Sequence, residues 1–160
     1  MIRIIGIDPG SRVTGFGVID CDGAREIYVD SGTIRVTGDT LAERLKVIFT
    51  GVGELLDLHR PDQACAESVF MHENPGTAIK LGQARGAAIS AIAMRDVPLA
   101  EYAPAQIKKT IVGRGRADKE QVQYMVKMLL KLARVPGNDA ADALACALCH
   151  NRSTQQAELK

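Results

Sequence analysis

The stretch Arg3-Ile4-Ile5-Gly6-Ile7-Asp8-Pro9-Gly10-Ser11 decides the fold. Ile4, Ile5 and Ile7 crowd one short run, the pattern of a strand buried on both faces. Pro9-Gly10-Ser11 then stops the strand with turn chemistry. Asp8 therefore ends an apolar strand, where a carboxylate buried without a partner costs several kcal/mol. Two readings stand. Asp8 is a turn-forming residue before Pro-Gly, or it is a metal ligand at the carboxyl end of a central strand, where α/β sheets place their sites.

Outward from this stretch, Val13 to Asp20 and Arg25 to Val36 read as two further strands, with Cys21-Asp22-Gly23 as a hairpin turn. Thr40 to Leu58 is a helix capped by Thr40, with Leu41, Leu45, Ile48, Val52 and Leu55 at helical spacing. Gln63 to Val69 is a strand, Asn74 to Arg95 a helix with Pro75 in its first turn, and Val97 to Glu101 a strand. Helices follow over Ala103 to Val112, Asp118 to Leu132 and Asp139 to His150, and residues 151–160 form a polar, frayed tail. The order βββαβαβααα predicts an α/β fold, a five-stranded mixed sheet with helices on both faces.

With 160 residues, 46% hydrophobic and 24% charged, the chain is expected to form one globular domain and not a disordered segment. No apolar run reaches the ~20 residues of a membrane span, and the first residues lack signal-peptide character. The four cysteines form no disulfide framework, so reduced thiols and a cytoplasmic location are expected. A net charge of +1 gives no global basic signature. A nucleic-acid binder with this balance must segregate charge locally, and Lys108, Lys109, Arg114, Arg116 and Lys119 cluster against one acid, Asp118.

Three more carboxylates stand out. Alternation puts Cys65 and Glu67 on one face of their strand and Ala64 and Ala66 on the other, leaving Glu67 as a lone acid in an apolar strand or a strand-end surface acid. Asp139 and Asp142 share one helical face at i, i+3. They also suit the helix macrodipole, and Asn138 or Asp139 could cap the helix. Together, the four acids on three segments form the oxygen-donor set of a hard divalent cation. Two such ions can clamp a phosphodiester, whereas no His cluster suggests zinc.

The chain resembles the bacterial Holliday-junction resolvases, the RuvC family, over nearly its whole length. The matching blocks are Gly6 to Val18, Ala66 to Met71, Lys80 to Gly86, Gly113 to Val122 and Asp139 to Ala145. Phe16 stands where the family commonly has Tyr, and Arg114 and Arg116 make the glycine loop more basic than in many members. The resemblance implies a ribonuclease H-like nuclease domain over residues 1–150 and a C-terminal tail over 151–160. It implies a homodimer that resolves four-way junction DNA by paired symmetric nicks, leaving 5′-phosphate and 3′-hydroxyl ends in recombination and repair. Its catalytic and metal-binding carboxylates fall on Asp8, Glu67, Asp139 and Asp142. Mg²⁺ is the implied cofactor, two ions per active site, with Mn²⁺ as a substitute. A branch-migration complex of a junction-binding protein and a hexameric motor is the implied partner, and no membrane is involved.

The remaining signals carry alternatives. Lys108, Lys109, Arg114, Arg116 and Lys119 either contact a DNA backbone or form a solvated basic surface, and by family position Lys108 and Lys119 resemble basic residues beside the active site. Phe70 either stacks on an unpaired base or sits in the core. Ala78, Gly82, Gly86 and Ser90 form a stripe that either meets a second copy across a two-fold axis or packs on the chain's own sheet. Cys146-Ala147-Leu148-Cys149-His150 matches a haem-attachment pattern, rejected because it lies in an Ala/Leu-rich helix. His59 and His72 are expected to be solvated. Two other functions compete with this one. An actin-like phosphotransferase would share Gly6-Ile7-Asp8-Pro9-Gly10 but need a second lobe. A non-catalytic junction-binding module would leave four acids repelling DNA.

Overall fold

The computed structural model describes residues 1–68 and 74–159. Strands β1 (Ile2–Asp8), β2 (Val13–Asp22) and β3 (Arg25–Arg35) form an antiparallel meander. Helix α1 (Leu41–His59) leads to β4 (Gln63–Glu67), α2 (Pro75–Ala93) to β5 (Leu99–Tyr102), and α3 (Pro104–Val112), α4 (Lys119–Leu129) and α5 (Asn138–Glu158) complete the chain. The sheet order is β3-β2-β1-β4-β5, with β4 parallel to β1 and β5 parallel to β4. Crossovers through α1 and α2 return each parallel strand in the same direction, so the chain leaves β1, β4 and β5 at one common edge.

Strand β1 is central, which explains why Ile4, Ile5 and Ile7 are all buried. Ile5, Ile7, Val18 and Ala64 pack against α1 and α2 through Ile48, Val52, Leu56, Ala84, Ala88 and Ile92. Ile4, Ile19 and Cys65 pack against α3, α4 and α5 through Ile107, Val126, Leu144 and Leu148. Full burial of each such aliphatic side chain contributes about 1.5–3 kcal/mol. Helix α1 opens with a capping box, Thr40 Oγ1 accepting from Glu43 N while Glu43 accepts from Thr40 N. Asn74 caps α2 ahead of Pro75, and Asp118 and Gln121 form a second capping box at α4.

Several sequence expectations need correction. The β2–β3 turn is Gly23-Ala24, with Gly23 at φ 58°, because β2 extends through Asp22. Strand β5 begins at Leu99 and runs to Tyr102. Residues 151–158 are not a frayed tail: α5 continues to Glu158, and Arg152 and Asn151 both bind Glu26 on the β2–β3 hairpin, at 2.8 and 3.0 Å. Neither Asn138 nor Asp139 caps α5, whose N-cap is Gly137 without a side-chain bond. His59 is not solvated: it packs on Phe16, and its Nε2 lies 3.0 Å from Asp30 Oδ2 without hydrogen-bond alignment. His72 lies outside the described residues. His150 is buried, and its ring bridges Tyr102 Oη and Gln63 Oε1, each at 2.7 Å. The four cysteines are buried free thiols. Among the described residues no helix is long and apolar enough to cross a membrane.

Candidate active site

The site forms where the sheet's carboxyl edge meets the start of α5. Asp8 ends β1 and Glu67 ends β4, and Ile7 pairs with Ala66, so the two strands deliver their acids to the same edge. Alternation turns Asp8, like Gly6, and Glu67, like Cys65, toward the α5 face. Helix α5 crosses that face in a trough of three strand glycines. A Cβ at Gly6 would lie 3.2 Å from Ala147 N, and one at Gly17 2.7 Å from the Leu144 side chain. One at Gly15 would lie 3.0 Å from Asp139 Cβ and collide with its carbonyl oxygen. Backbone contact at this range seats the first turn of α5, and hence Asp139 and Asp142, above β1.

The electrostatics register the convergence. Burial, then Asp142, Glu67 and Asp139, push the Asp8 carboxyl up to about 7, and only Lys119 opposes them. Burial and Asp142 raise Glu67, against Lys108 and Lys119. Burial raises Asp142, with Lys119 and Lys108 pulling it back and Asp139 adding to the rise. A hollow of about 30 Å³ is lined by Glu67, Lys108 and Asp142 together. Hence α3 and α4 each present one lysine to the acid cluster.

This donor set fits a divalent cation. Its oxygens are hard ligands, and the raised carboxyls show a site short of positive charge. Among the described residues no three His, Cys, Asp or Glu side chains come close enough together to hold a metal ion by themselves. An open set of this kind suits Mg²⁺, which keeps water and binds through one or two carboxylates plus substrate phosphate.

The remaining sequence candidates are distributed differently. Lys109 turns away from the acids and shares a groove with Gln106, Arg152 and Gln156, because adjacent helical residues point about 100° apart. Arg114 and Arg116 are exposed on the loop between α3 and α4. Phe70 lies outside the described residues. The stripe on α2 does not pack on the chain's own sheet: Gly82, Gly86 and Ser90 are exposed, Ala78 is half-buried, and among the described residues no atom outside the helix's own turn lies within 4 Å of a Cβ built on either glycine. The opposite face, with Ala84, Ala88 and Ala91, meets the core.

Two features escaped the sequence. Arg85 on α2 donates from Nη1 to the Glu67 main-chain carbonyl at 2.8 Å and pairs through Nη2 with Glu101 on β5. Its guanidinium therefore ties the end of β4 to its neighbour. The glycine trough was signalled by Gly6, Gly15 and Gly17 inside strands, a composition that marks close backbone approach.

A mixed sheet of this order, with acids gathered from two strand ends and a crossing helix, defines a ribonuclease H-like nuclease. Residues 4–150 match the family described as crossover junction endodeoxyribonuclease RuvC. The chain belongs to this RuvC family, structure-selective DNA endonucleases that resolve Holliday junctions. It is 52% identical over 155 residues to the crossover junction endodeoxyribonuclease RuvC of Shewanella oneidensis, covering 97% of this chain and 90% of that protein. The structure of T. thermophilus RuvC in complex with Holliday junction substrate superposes with a TM-score of 0.91 at 32% identity, covering 98% and 97% of the two chains. The yeast mitochondrial Holliday junction resolvase Ydc2 shares the fold, with a TM-score of 0.64 at 11% identity over 98% of this chain and 81% of that one.

Proposed function

We propose that Asp8, Glu67, Asp139 and Asp142 form the catalytic centre of this endonuclease and hold two Mg²⁺ ions, with Mn²⁺ as a substitute. The observation that carries this reading is the gathering of acids at one buried point, where burial first, and then Asp142, Glu67 and Asp139, push Asp8 up to about 7. Bound there, the ions supply Lewis-acid stabilisation of the attacking and leaving oxygens of a phosphodiester.

The chain's own groups bring the substrate to that point. Lys108 and Lys119 border the acids and draw the scissile phosphate into a site that would otherwise repel it. Lys109, Arg114 and Arg116 neutralise neighbouring phosphates, and the glycines at 113 and 115 let that loop follow the backbone. Phe70 stacks on an unpaired base at the junction centre. Two copies meet through Ala78, Gly82, Gly86 and Ser90, the small exposed stripe of α2, as a homodimer. Its two-fold axis matches that of the junction, so two symmetric nicks follow, each leaving a 5′-phosphate and a 3′-hydroxyl. The enzyme works in the cytoplasm on four-way junction DNA, beside a branch-migration complex of a junction-binding protein and a hexameric motor.

Incubation of labelled four-way junction and linear duplex with Mg²⁺ or EDTA tests this. Paired nicks in the junction alone, and only with Mg²⁺, are expected. Cleavage that persists in EDTA, or that survives in Asp8→Asn, overturns the assignment.

A further inference from the structure

A cavity of about 590 Å³ opens on the opposite face of the sheet edge that carries the acids. The topology fixes that position. The β1–β2 turn, the start of α1 and the start of α2 all lie at the carboxyl edge of the parallel strands, and all three line the cavity. Each also contributes a cation: Arg12, Arg44 and Lys80, against one lining acid, Asp39.

The three cations differ in state. Arg44 is committed to the wall, donating to the carbonyls of Ser11 at 2.8 Å and Gly38 at 3.4 Å. Arg12 and Lys80 are exposed, and neither is among the ion pairs of the described residues. Glu43, the acid nearest in sequence to Arg44, spends its carboxylate on the amides of Asp39 and Thr40, at 2.8 and 3.1 Å. Two cations with no ion-pair partner among the described residues therefore face a pre-shaped hollow lined by three cations and one acid. An anion of matching size gains from both without displacing an existing partner.

Distance along the chain ties this hollow to the acids. Ser11, on the cavity wall, is three residues beyond Asp8, so their Cα atoms are at most about 10 Å apart. One strand of duplex DNA carries a phosphate every ~3.4 Å of axis. A strand whose scissile phosphate sits at Asp8 and that runs on past Ser11 brings another phosphate to the cavity mouth within about three nucleotides.

We infer that the cavity is a second phosphate site, in which Arg12 and Lys80 neutralise a backbone phosphate of the junction while Arg44 holds the wall. The inference rests on the nuclease reading above and extends it to the other face of the sheet. It assigns the α1–α2 side a part in holding the strand beyond the cut, which the acids and the Lys108–Lys119 side cannot reach.

Methylphosphonate scanning tests it. Junctions carrying one neutral methylphosphonate at each position within five nucleotides of the cut are titrated with wild-type protein and with the Arg12→Gln/Lys80→Gln variant. Affinity is measured in EDTA, and circular dichroism confirms folding. In the wild type, one or two positions should weaken binding several-fold. In the variant those same positions should lose their effect while the others keep theirs, and the salt slope should fall by about one to two. Lys80→Gln alone should give an intermediate loss. Full sensitivity at every position in the variant overturns the inference, as does a wild-type chain indifferent to every substitution near the cut. A wild-type chain that binds no junction at all overturns the nuclease reading and this inference with it.

Discussion

Gly15 lies opposite Asp8 in the β1–β2 ladder, and a side chain on it would strike Asp139 at the first turn of α5. The absence of one methyl group thus sets how closely two of the acids approach a third. Gly15→Ala should push the start of α5 outward, cost about 1–3 kcal/mol by overpacking and lower Tm by several degrees. Displacing Asp139 and Asp142 by even ~1 Å should cost about 10²-fold in single-turnover cleavage. Junction affinity should change far less. Differential scanning fluorimetry and single-turnover kinetics check both parts, and a fully active, fully stable variant refutes the seating role.

Asp8 gives the fold a pH signature. Its carboxyl, ordinarily near 3.8, is pushed up to about 7 in the folded chain. Between those values the unfolded chain has released a proton that the folded chain retains. Stability of the metal-free protein should therefore fall as pH rises from about 4 to about 7, by a few kcal/mol in total. Asp8→Asn should flatten this slope, leaving the smaller part that the raised Glu67 and Asp142 carboxyls contribute, and raise Tm at pH 8, while abolishing cleavage. Added Mg²⁺ should raise the wild-type Tm more at pH 8 than at pH 5, because the ionised carboxylates bind it. Melting curves in EDTA and in Mg²⁺ measure all three effects.

Arg85 should act through Glu67 without touching DNA. Arg85→Met removes the bond to the Glu67 carbonyl and the pair with Glu101. We expect single-turnover cleavage to fall by about 10² at saturating protein, with junction affinity within about two-fold and a higher Mg²⁺ requirement. Arg85→Lys should recover part of the rate, since one donor can still reach the carbonyl. Equal losses in Arg85→Met and Arg85→Lys, together with weaker DNA binding, would contradict a positioning role.

Lys108 and Lys119 hold down the Glu67 and Asp142 carboxyls against burial. Replacing both with Ala should let those carboxyls rise further, so the acid limb of the pH–rate profile moves to higher pH. The salt dependence of junction binding should also flatten, by about 0.9 in log–log slope per lost phosphate contact. An unmoved pH profile with an unchanged salt slope would remove both lysines from the site.

Gly82→Leu addresses assembly. Among the described residues no atom outside its own helical turn lies within 4 Å of a Cβ at this position, so the variant should fold. If α2 meets its copy there, the leucine should yield a monomer that makes uncoordinated single nicks in a cruciform plasmid. Sedimentation and the ratio of nicked to linear product decide the matter. A dimeric variant that still cuts both strands in one binding event refutes the α2 interface.

Local chemistry determined much of this molecule. The apolar run before Asp8, the helical spacing through Ile48 and Val52, the Thr40 cap and the Asn74-Pro75 start all act within a few residues, so the sequence reading located nearly every element. It also isolated Asp8, Glu67 and the Asp139–Asp142 pair, because an acid at the end of an apolar strand is anomalous without any knowledge of its neighbours.

Only the tertiary structure could decide what those acids meet. Glu67 lies 59 residues from Asp8, and Asp139 another 72 beyond, and no periodicity encodes such separations. Their approach depends on β4 pairing beside β1 and on α5 settling into the Gly6–Gly15–Gly17 trough. The division between Lys108, beside the acids, and Lys109, turned toward Arg152, follows from how α3 packs. The last turns of α5 read as a polar tail because their stabilising partner, Glu26, lies more than 120 residues away in the hairpin. Sequence fixes which side chains a segment offers and on which face. Contact between distant segments is fixed by strand order and packing distance, which belong to the folded chain as a whole.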